Sequence, residues 1–207
     1  MKISGVCVLV GFLGFSAALL SDASVEAAMA RTGLYAPVGE VTSAPIGYVQ
    51  FCRQQPRDCG APTQDARDVV MTKPTWNDLK AVNDAVNGSV HPVTDQEFYG
   101  KPEVWTYPVD GMGDCEDYVL LKRRMLLDAG WPASALLITV VRDLKGDGHA
   151  VLMVKTDRGE FVLDNQVEAI RDWRDTGYRY VKRQSQFDPN QWVSLGDTQT
   201  TPTVAAQ

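Results

Sequence analysis

One cysteine of the chain lies where a nucleophile could be made. Apolar residues on one face of a 3.6-residue period predict a helix from Cys115 to about Ala129. Asp114 precedes this helix as a suitable N-cap, and Gly130 follows it as a suitable stop. Cys115 is thus expected in the first helical turn, where unpaired N–H groups and the positive end of the dipole favour a thiolate. A thiolate in that position is a nucleophile that needs a base.

A predicted hairpin downstream can supply that base. His149 begins a predicted strand over residues 149–155, and after a turn the chain returns in a predicted strand over residues 160–165. Pairing through the turn would bring Asp164 beside His149, so that a carboxylate could orient the imidazole. Cys115, His149 and Asp164 therefore form a coherent triad for acyl transfer.

Two further residues bear on the assignment of this triad. Asn165 could orient the imidazole in place of Asp164, because an asparagine can also hold a histidine ring. The other histidine of the chain, His91, lies next to Pro92 in a predicted loop and is expected to be a surface residue.

An enzyme of this kind needs donors for the oxyanion that forms during attack. The backbone N–H of Cys115 would be one donor. The indole N–H of Trp105, in the loop before the cysteine, is the candidate for the second. The alternative for Trp105 is a place in the hydrophobic core.

Three blocks of sequence carry the triad, and they span residues 114–118, 148–152 and 162–166. Together they resemble the bacterial transglutaminase-like cysteine proteinases, a family that includes the LapG-type periplasmic proteases. The resemblance covers most of the chain after its first 75 residues. It implies an α+β fold with a papain-like/transglutaminase-like core, in which the nucleophile helix packs on an antiparallel sheet.

The same resemblance implies a function and partners. It indicates a cysteine peptidase that is exported and cleaves peptide bonds of a cell-surface or periplasmic protein. In the best-known members the substrate is a large surface adhesin, a membrane-bound receptor regulates the enzyme, and a calcium ion lies beside the cysteine. The resemblance also assigns the triad to Cys115, His149 and Asp164.

The triad does not determine which molecule accepts the acyl group. If water releases the acyl group from Cys115, the chain is a protease; if an amine releases it, the same triad makes a transglutaminase or amidase. The acyl-enzyme is common to both, so the sequence does not choose between them. An alternative from another class is a non-catalytic periplasmic binding module with a vestigial cleft, and the intact triad residues argue against it.

Three carboxylates flank the nucleophile, those of Asp114, Glu116 and Asp117. A carboxylate ~8 Å from the thiolate, at an effective dielectric constant of ~20, would destabilise it by about 2 kcal/mol. Either these side chains point to water, or they bind a hard cation that cancels their charge. Carboxylates close in sequence suit Ca²⁺, although this spacing is not that of an EF-hand loop.

The first 30 residues predict a secretory signal peptide. Lys2 supplies the positive start, residues 6–20 form the apolar run, and small residues allow cleavage after Ala23 or Ala30. The apolar run is shorter than the ~20 residues that cross a membrane. No later segment is apolar enough to do so. We therefore expect a periplasmic or secreted protein with no membrane span after signal removal.

The remaining cysteines fit an oxidising compartment. Cys52 and Cys59 bracket a turn-like stretch and are predicted to form a disulfide, which would leave Cys115 as the free thiol. The alternatives are metal ligation by the pair and a buried, inert Cys115. No second Cys or His cluster in the sequence supports a metal at the pair.

Composition and charge set the outer bounds. The chain has 207 residues, of which 44% are hydrophobic and 22% charged, as in an ordinary globular domain. Its net charge of −6 argues against nucleic acid or an anionic membrane as the main partner. The predicted layout is a signal peptide (1–30), an irregular N-terminal arm with the disulfide loop (31–73), a cysteine proteinase domain (74–196) and a loose tail (197–207).

Within this layout, periodicity and turn residues predict further elements. A helix is predicted over residues 75–86, with Thr75 as its cap, and a buried strand over residues 136–142. Alternation predicts one more strand over residues 178–184. A long loop without secondary structure is predicted over residues 88–112. Because it leads directly to Cys115, we expect it to line the cleft.

Overall fold

The computed structural model describes residues 33–60, 66–108 and 110–196. The predicted signal peptide and the predicted tail lie outside these ranges and stay predictions. Within the described part of the chain, no helix is both long and apolar enough to cross a membrane. The helices and strands are α1 Ile46–Gln54, α2 Lys73–Ser89, α3 Asp95–Tyr99, α4 Cys115–Asp128, β1 Val41–Thr42, β2 His91–Pro92, β3 Met112–Gly113, β4 Leu136–Arg142, β5 Gly148–Thr156, β6 Gly159–Leu163, β7 Arg171–Asp172, β8 Arg179–Gln184 and β9 Trp192–Ser194.

A seven-stranded antiparallel sheet forms the frame of the molecule, in the order β1-β9-β8-β4-β5-β6-β7. Strand β4 lies at its centre and pairs with β5 from Leu136 opposite Val154 to Arg142 opposite Gly148. Its first six residues are all buried, which explains the unbroken apolar run that predicted this strand. The predicted α+β class and the predicted β5–β6 hairpin are both confirmed.

Helix α4, which begins at the candidate nucleophile, packs against β5 and against α2. Helix residues Val119, Leu120 and Leu126 share one apolar cluster with the strand residues Ile138 and Leu152. Burying each of these side chains contributes about 1.5–3 kcal/mol. The predicted nucleophile helix on an antiparallel sheet is therefore confirmed, and its first turn is held against the strand that begins with Gly148 and His149.

The N-terminal arm is more ordered than predicted. It contains a helix of nine residues, α1, which its Gly- and Pro-rich composition did not indicate. This helix packs Tyr48 and Phe51 into the core. Gly47 makes the close approach of Trp105 feasible, because a Cβ at this position would lie 2.2 Å from the indole Cδ1. At the end of α1, Cys52 forms the predicted disulfide with Cys59, with 5.5 Å between the two Cα atoms.

The helix predicted over residues 75–86 runs from Lys73 to Ser89. Thr72, rather than Thr75, occupies the N-cap, and Thr75 completes a capping box with it. The predicted helix was too short because the prediction placed its cap at Thr75 and its end at Gly88, whereas the helix accepts Pro74 in its first turn and continues through Gly88.

The loop predicted over residues 88–112 contains secondary structure. Strands β2 and β3 form a short parallel pair in which His91 lies opposite Met112. Between them lies α3, which is capped by reciprocal hydrogen bonds of Thr94 and Glu97. These elements were missed because β2, β3 and α3 are too short to show a period.

Candidate active site

His149 and Asp164 form a hydrogen-bonded pair at the open end of the β5–β6 hairpin. The imidazole Nε2 and the carboxylate Oδ1 are 2.8 Å apart, and the two residues are 1% and 4% exposed. The hairpin register brings them together: Leu163 pairs with Leu152, Asp164 directly follows Leu163, and His149 is the second residue of β5. Burial would raise the pKa of Asp164, but hydrogen bonds from His149 and Tyr178 hold it below its usual value. Asp164 is therefore charged at neutral pH.

Three further hydrogen bonds fix Asp164 from different elements. The hydroxyl of Tyr178 donates to Oδ2 at 2.6 Å, and the backbone N–H of Gln166 donates to Oδ1 at 3.0 Å. From helix α2, the amide of Asn87 donates to the backbone carbonyl of Asp164 at 2.8 Å. Sequence reasoning missed Tyr178 and Asn87, which lie far from the triad blocks.

Gln166 also contacts the other ring nitrogen of His149, since its Nε2 lies 3.4 Å from Nδ1. If the amide donates in this contact, Nδ1 is an acceptor, and Nε2 carries the proton that it donates to Asp164. This is the tautomer that a general base needs. Gln166 belongs to the third triad block, residues 162–166, so the sequence did contain a signal that it lies at the active site. The imidazole bonds to Asp164 and Gln166, and not to Asn165, the alternative orienting residue.

Cys115 is the free cysteine of the described chain and is 2% exposed. The backbone N–H of Ala150 donates to its Sγ at 3.4 Å, so strand β5 brings the sulfur next to the residue that follows His149. The thiol itself donates to Oε2 of Glu116 at 3.3 Å. Among the hydrogen bonds of the described residues, none joins Cys115 to His149 directly.

The protein around Cys115 opposes the thiolate that the helix start was predicted to favour. Burial raises the pKa of the thiol well above its usual value, and the carboxylates of Glu116 and Asp114 raise it further. Asp114 occupies the N-cap position without a capping hydrogen bond from its side chain; instead its Oδ2 accepts from the backbone N–H of Asp95 at 3.3 Å. Asp114 thus lies at the predicted N-cap position but does not cap with its side chain. The raised pKa opposes the predicted thiolate in the chain alone, because desolvation is its largest cause.

A buried acidic cluster lies beside the nucleophile. Asp95, Asp114 and Glu116 each offer one carboxylate oxygen, and these oxygens lie within 4.8 Å of one another. All three residues are buried, and so is Asp117, so the alternative in which Asp114, Glu116 and Asp117 point to water is wrong. Burial raises the pKa of Asp95 to about 6 and that of Glu116 well above its usual value. Asp95 was missed because it precedes Asp114 by nineteen residues and only α3 brings it near.

Asp117, the third predicted metal ligand, is not among the residues whose carboxylate oxygens converge in this cluster. Its Oδ1 accepts from the backbone N–H of Thr106 at 2.9 Å, and burial raises its pKa to about 8. It therefore fixes the loop before the nucleophile. The cluster of Asp95, Asp114 and Glu116 fits a hard cation, because carboxylate oxygens converge in it and Oε1 of Glu116 has no hydrogen-bond partner among the described residues.

Trp105, the candidate second oxyanion donor, is buried in the core. Its indole N–H donates to Oε1 of Glu103 at 3.1 Å, and its ring packs edge-on against Tyr48. The N–H is thus engaged elsewhere in this structure, and the oxyanion role of Trp105 stays a prediction. His91 is exposed, as expected for a surface residue.

Comparison with known proteins adds an independent line of evidence. Over residues 38–200 the sequence matches the family described as bacterial transglutaminase-like cysteine proteinase BTLCP. This match confirms the resemblance indicated by the three triad blocks. No curated protein matches the chain.

Solved structures of Legionella pneumophila LapG are similar to the fold. The calcium-bound form shares 24% identity over 64% of this chain and 75% of that chain, with a TM-score of 0.51. The EGTA-treated form shares 26% identity over 64% of this chain and 74% of that chain, with a TM-score of 0.52. In a further LapG structure the match spans 64% of that protein and 54% of this chain, at 28% identity and a TM-score of 0.48. The likeness to the first two supports the transglutaminase-like core.

Proposed function

Because the chain belongs to the bacterial transglutaminase-like cysteine proteinase family, we propose that it is an exported thiol protease that cleaves peptide bonds in a cell-surface or periplasmic protein. One observation carries the proposal: the His149–Asp164 pair is buried and hydrogen-bonded, and the residue after His149 donates its N–H to the sulfur of Cys115. A base with an orienting carboxylate therefore lies beside a free thiol.

In the proposed reaction Sγ of Cys115 attacks the carbonyl carbon of the scissile bond. Nδ1 of His149 accepts the thiol proton and then delivers it to the leaving amine nitrogen. Asp164, which is charged and bonded to Nε2, stabilises the imidazolium that forms in between. Water, deprotonated by His149, then attacks the thioester and releases the acyl product, which restores the thiol.

We extend the proposal to a calcium ion held by Asp95, Asp114 and Glu116. When bound, its positive charge would offset the carboxylates that destabilise the Cys115 thiolate. The choice of calcium is supported by the carboxylate donors and by the calcium-bound form of the similar LapG structure. Asp117 is left out because the carboxylate oxygens that converge belong to Asp95, Asp114 and Glu116.

The proposed partners follow the family. A protein substrate fits a cysteine peptidase, and we propose a surface adhesin as that substrate and a membrane-bound receptor as a regulator, with the enzyme in the periplasm or outside the cell. The negative net charge supports the expectation that nucleic acid is not a partner.

The proposed triad is tested with a peptide that carries a thiol-reactive electrophile. We expect the purified mature chain to be labelled at Cys115 and the His149→Ala variant to lose the labelling. His91→Ala is the matched control, since it removes the exposed histidine and should leave labelling unchanged. Labelling of His149→Ala at the wild-type rate would contradict the proposal. Mass spectrometry of the products of a peptide substrate, with and without added amine, then distinguishes hydrolysis from amine transfer.

A further inference from the structure

We propose that Tyr178 is a positioning residue of the triad, which fixes the carboxylate of Asp164 against the imidazole of His149. This inference rests on the proposed function for its catalytic consequence. The hydroxyl of Tyr178 donates to Oδ2 of Asp164 at 2.6 Å. Its ring lies edge-on to the imidazole of His149, with 5.8 Å between ring centroids and an interplanar angle of 80°. Tyr178 therefore contacts both members of the buried pair.

The bond from Tyr178 completes the hydrogen bonding of the carboxylate. Oδ1 of Asp164 accepts from His149 and from the backbone of Gln166, while Oδ2 accepts from Tyr178. The terminal torsion of an aspartate is broad, so a carboxylate held at one oxygen can still rotate. Donors on both oxygens oppose that rotation and keep Oδ1 in line with Nε2 of His149.

The hydroxyl of Tyr178 stays protonated and can therefore act as a donor. Its own burial raises its pKa most, and the negative charges of Asp164 and Asp143 raise it further. Around Asp164 itself, the other charged or titratable groups include His149, the amine of Lys122 on α4 and the phenol of Tyr180. The bond from Tyr178 adds to that from His149 in lowering the pKa of the carboxylate.

The position of Tyr178 is set independently of the hairpin that carries the pair. It directly precedes β8, after Gly177 in a left-handed turn with φ of 74°, and its backbone N–H donates to Oγ1 of Thr176. Tyr180, two residues later, directs its hydroxyl to Thr176 and to the carbonyl of Trp173. Tyr180 thus offers the same hydroxyl, which bonds to Thr176 and Trp173 and not to the Asp164 carboxylate, and this makes it a matched control.

The test compares Tyr178→Phe with Tyr180→Phe in the mature chain. For Tyr178→Phe we expect kcat to fall about tenfold with little change in KM, because the bond orients the base rather than the substrate. The acid limb of the kcat/KM profile should move to higher pH, because a carboxylate that loses a donor is protonated more readily. Tyr180→Phe should lower the melting temperature at least as much, but leave kcat and the acid limb unchanged.

A second readout does not depend on activity. In the Cys115→Ala background, we expect the proton NMR resonance of the His149–Asp164 hydrogen bond to shift in Tyr178→Phe and to disappear at a higher pH than in the parent. The resonances of His91 serve as an internal control, since this histidine is exposed. An unchanged resonance overturns the role of Tyr178, whether or not the parent cleaves peptides. A wild-type chain that cleaves no peptide overturns the proposed function instead, and the resonance still decides the role of Tyr178.

Discussion

The thiol of Cys115 donates a hydrogen bond to the carboxylate of Glu116, with 3.3 Å between Sγ and Oε2. The residue after the nucleophile thus competes with His149 for the thiol proton. Glu116 also belongs to the buried acidic cluster with Asp95 and Asp114. The protonation of the sulfur is therefore linked to the net charge of the acidic cluster.

Calcium should make the Cys115 thiol more reactive. In chelator, burial and the carboxylates of Glu116 and Asp114 keep its pKa high, so alkylation at neutral pH should be slow. Added Ca²⁺ should speed alkylation at least tenfold, which corresponds to about one pKa unit of the thiol. Mg²⁺ should act less, because it demands a more regular oxygen shell. The measurement is the alkylation rate of the free thiol as a function of pH.

Variants identify the groups behind this calcium response. Glu116→Gln keeps the size of the side chain and removes its charge, so the thiol should react faster in chelator and respond less to calcium. Asp95→Asn should weaken calcium binding, measured by calorimetry. Glu168→Gln removes one negative charge at an exposed site outside the cluster, so it should change neither the alkylation rate of the thiol nor calcium binding. Equal alkylation rates with chelator and with calcium would rule out the link.

Cys115→Ser should abolish peptide cleavage and leave the fold intact. The hydroxyl replaces the thiol with little change in volume, but its far weaker acidity means that the imidazole of His149 activates it poorly. The measurements are kcat/KM on a peptide substrate and the thermal unfolding midpoint. Cleavage by the serine variant at the wild-type rate would exclude Cys115 as the nucleophile.

The Cys52–Cys59 disulfide should stabilise the chain without entering the chemistry. Replacing both cysteines by serine should lower the free energy of unfolding by about 2–3 kcal/mol, because the bridge restricts a short ring in the unfolded chain. Urea unfolding measures this loss, and activity should persist under conditions where the variant is folded. Mass mapping without reduction should find one free thiol per mature chain, and a bridge to Cys115 in active protein would contradict the assignment.

Lys122 should make the stability of the fold depend on pH. Its side chain is 0% exposed, its amine has no hydrogen-bond partner among the described residues, and burial lowers its pKa to about 7. Between pH 7 and the usual lysine value, the unfolded state therefore binds more protons than the folded state, and stability rises with pH. Relative to Lys122→Met, the wild type should gain about 2 kcal/mol between pH 7 and 9.

Urea unfolding of both proteins at each pH measures this difference. Lys80→Met is the control, because Lys80 is an exposed lysine paired with Asp84 on α2 and should show no such trend. A constant difference between wild type and Lys122→Met across the range would mean that the amine is protonated throughout.

Local patterns in the sequence were enough to predict where the candidate catalytic residues lie. The 3.6-residue period identified the helix that starts at Cys115, and the alternation and turn of the hairpin brought Asp164 beside His149. Of the four cysteines, Cys7 lies in the predicted signal peptide, and the odd number that remains separated the disulfide from the free thiol. These features depend on neighbours within about twenty residues, where spacing and turn geometry determine which side chains meet.

Only the tertiary structure decided what surrounds those residues. Asp95 reaches Asp114 through a short helix that shows no period, and Tyr178 reaches Asp164 from the start of another strand. The sign of the pKa shift at Cys115 also came from the fold, because the helix dipole is a local effect whereas desolvation depends on everything packed around the sulfur. The sequence by itself determined which residues could react. Long-range packing determined their charge, their orientation and which buried carboxylates lie next to them, since burial is a property of the whole fold.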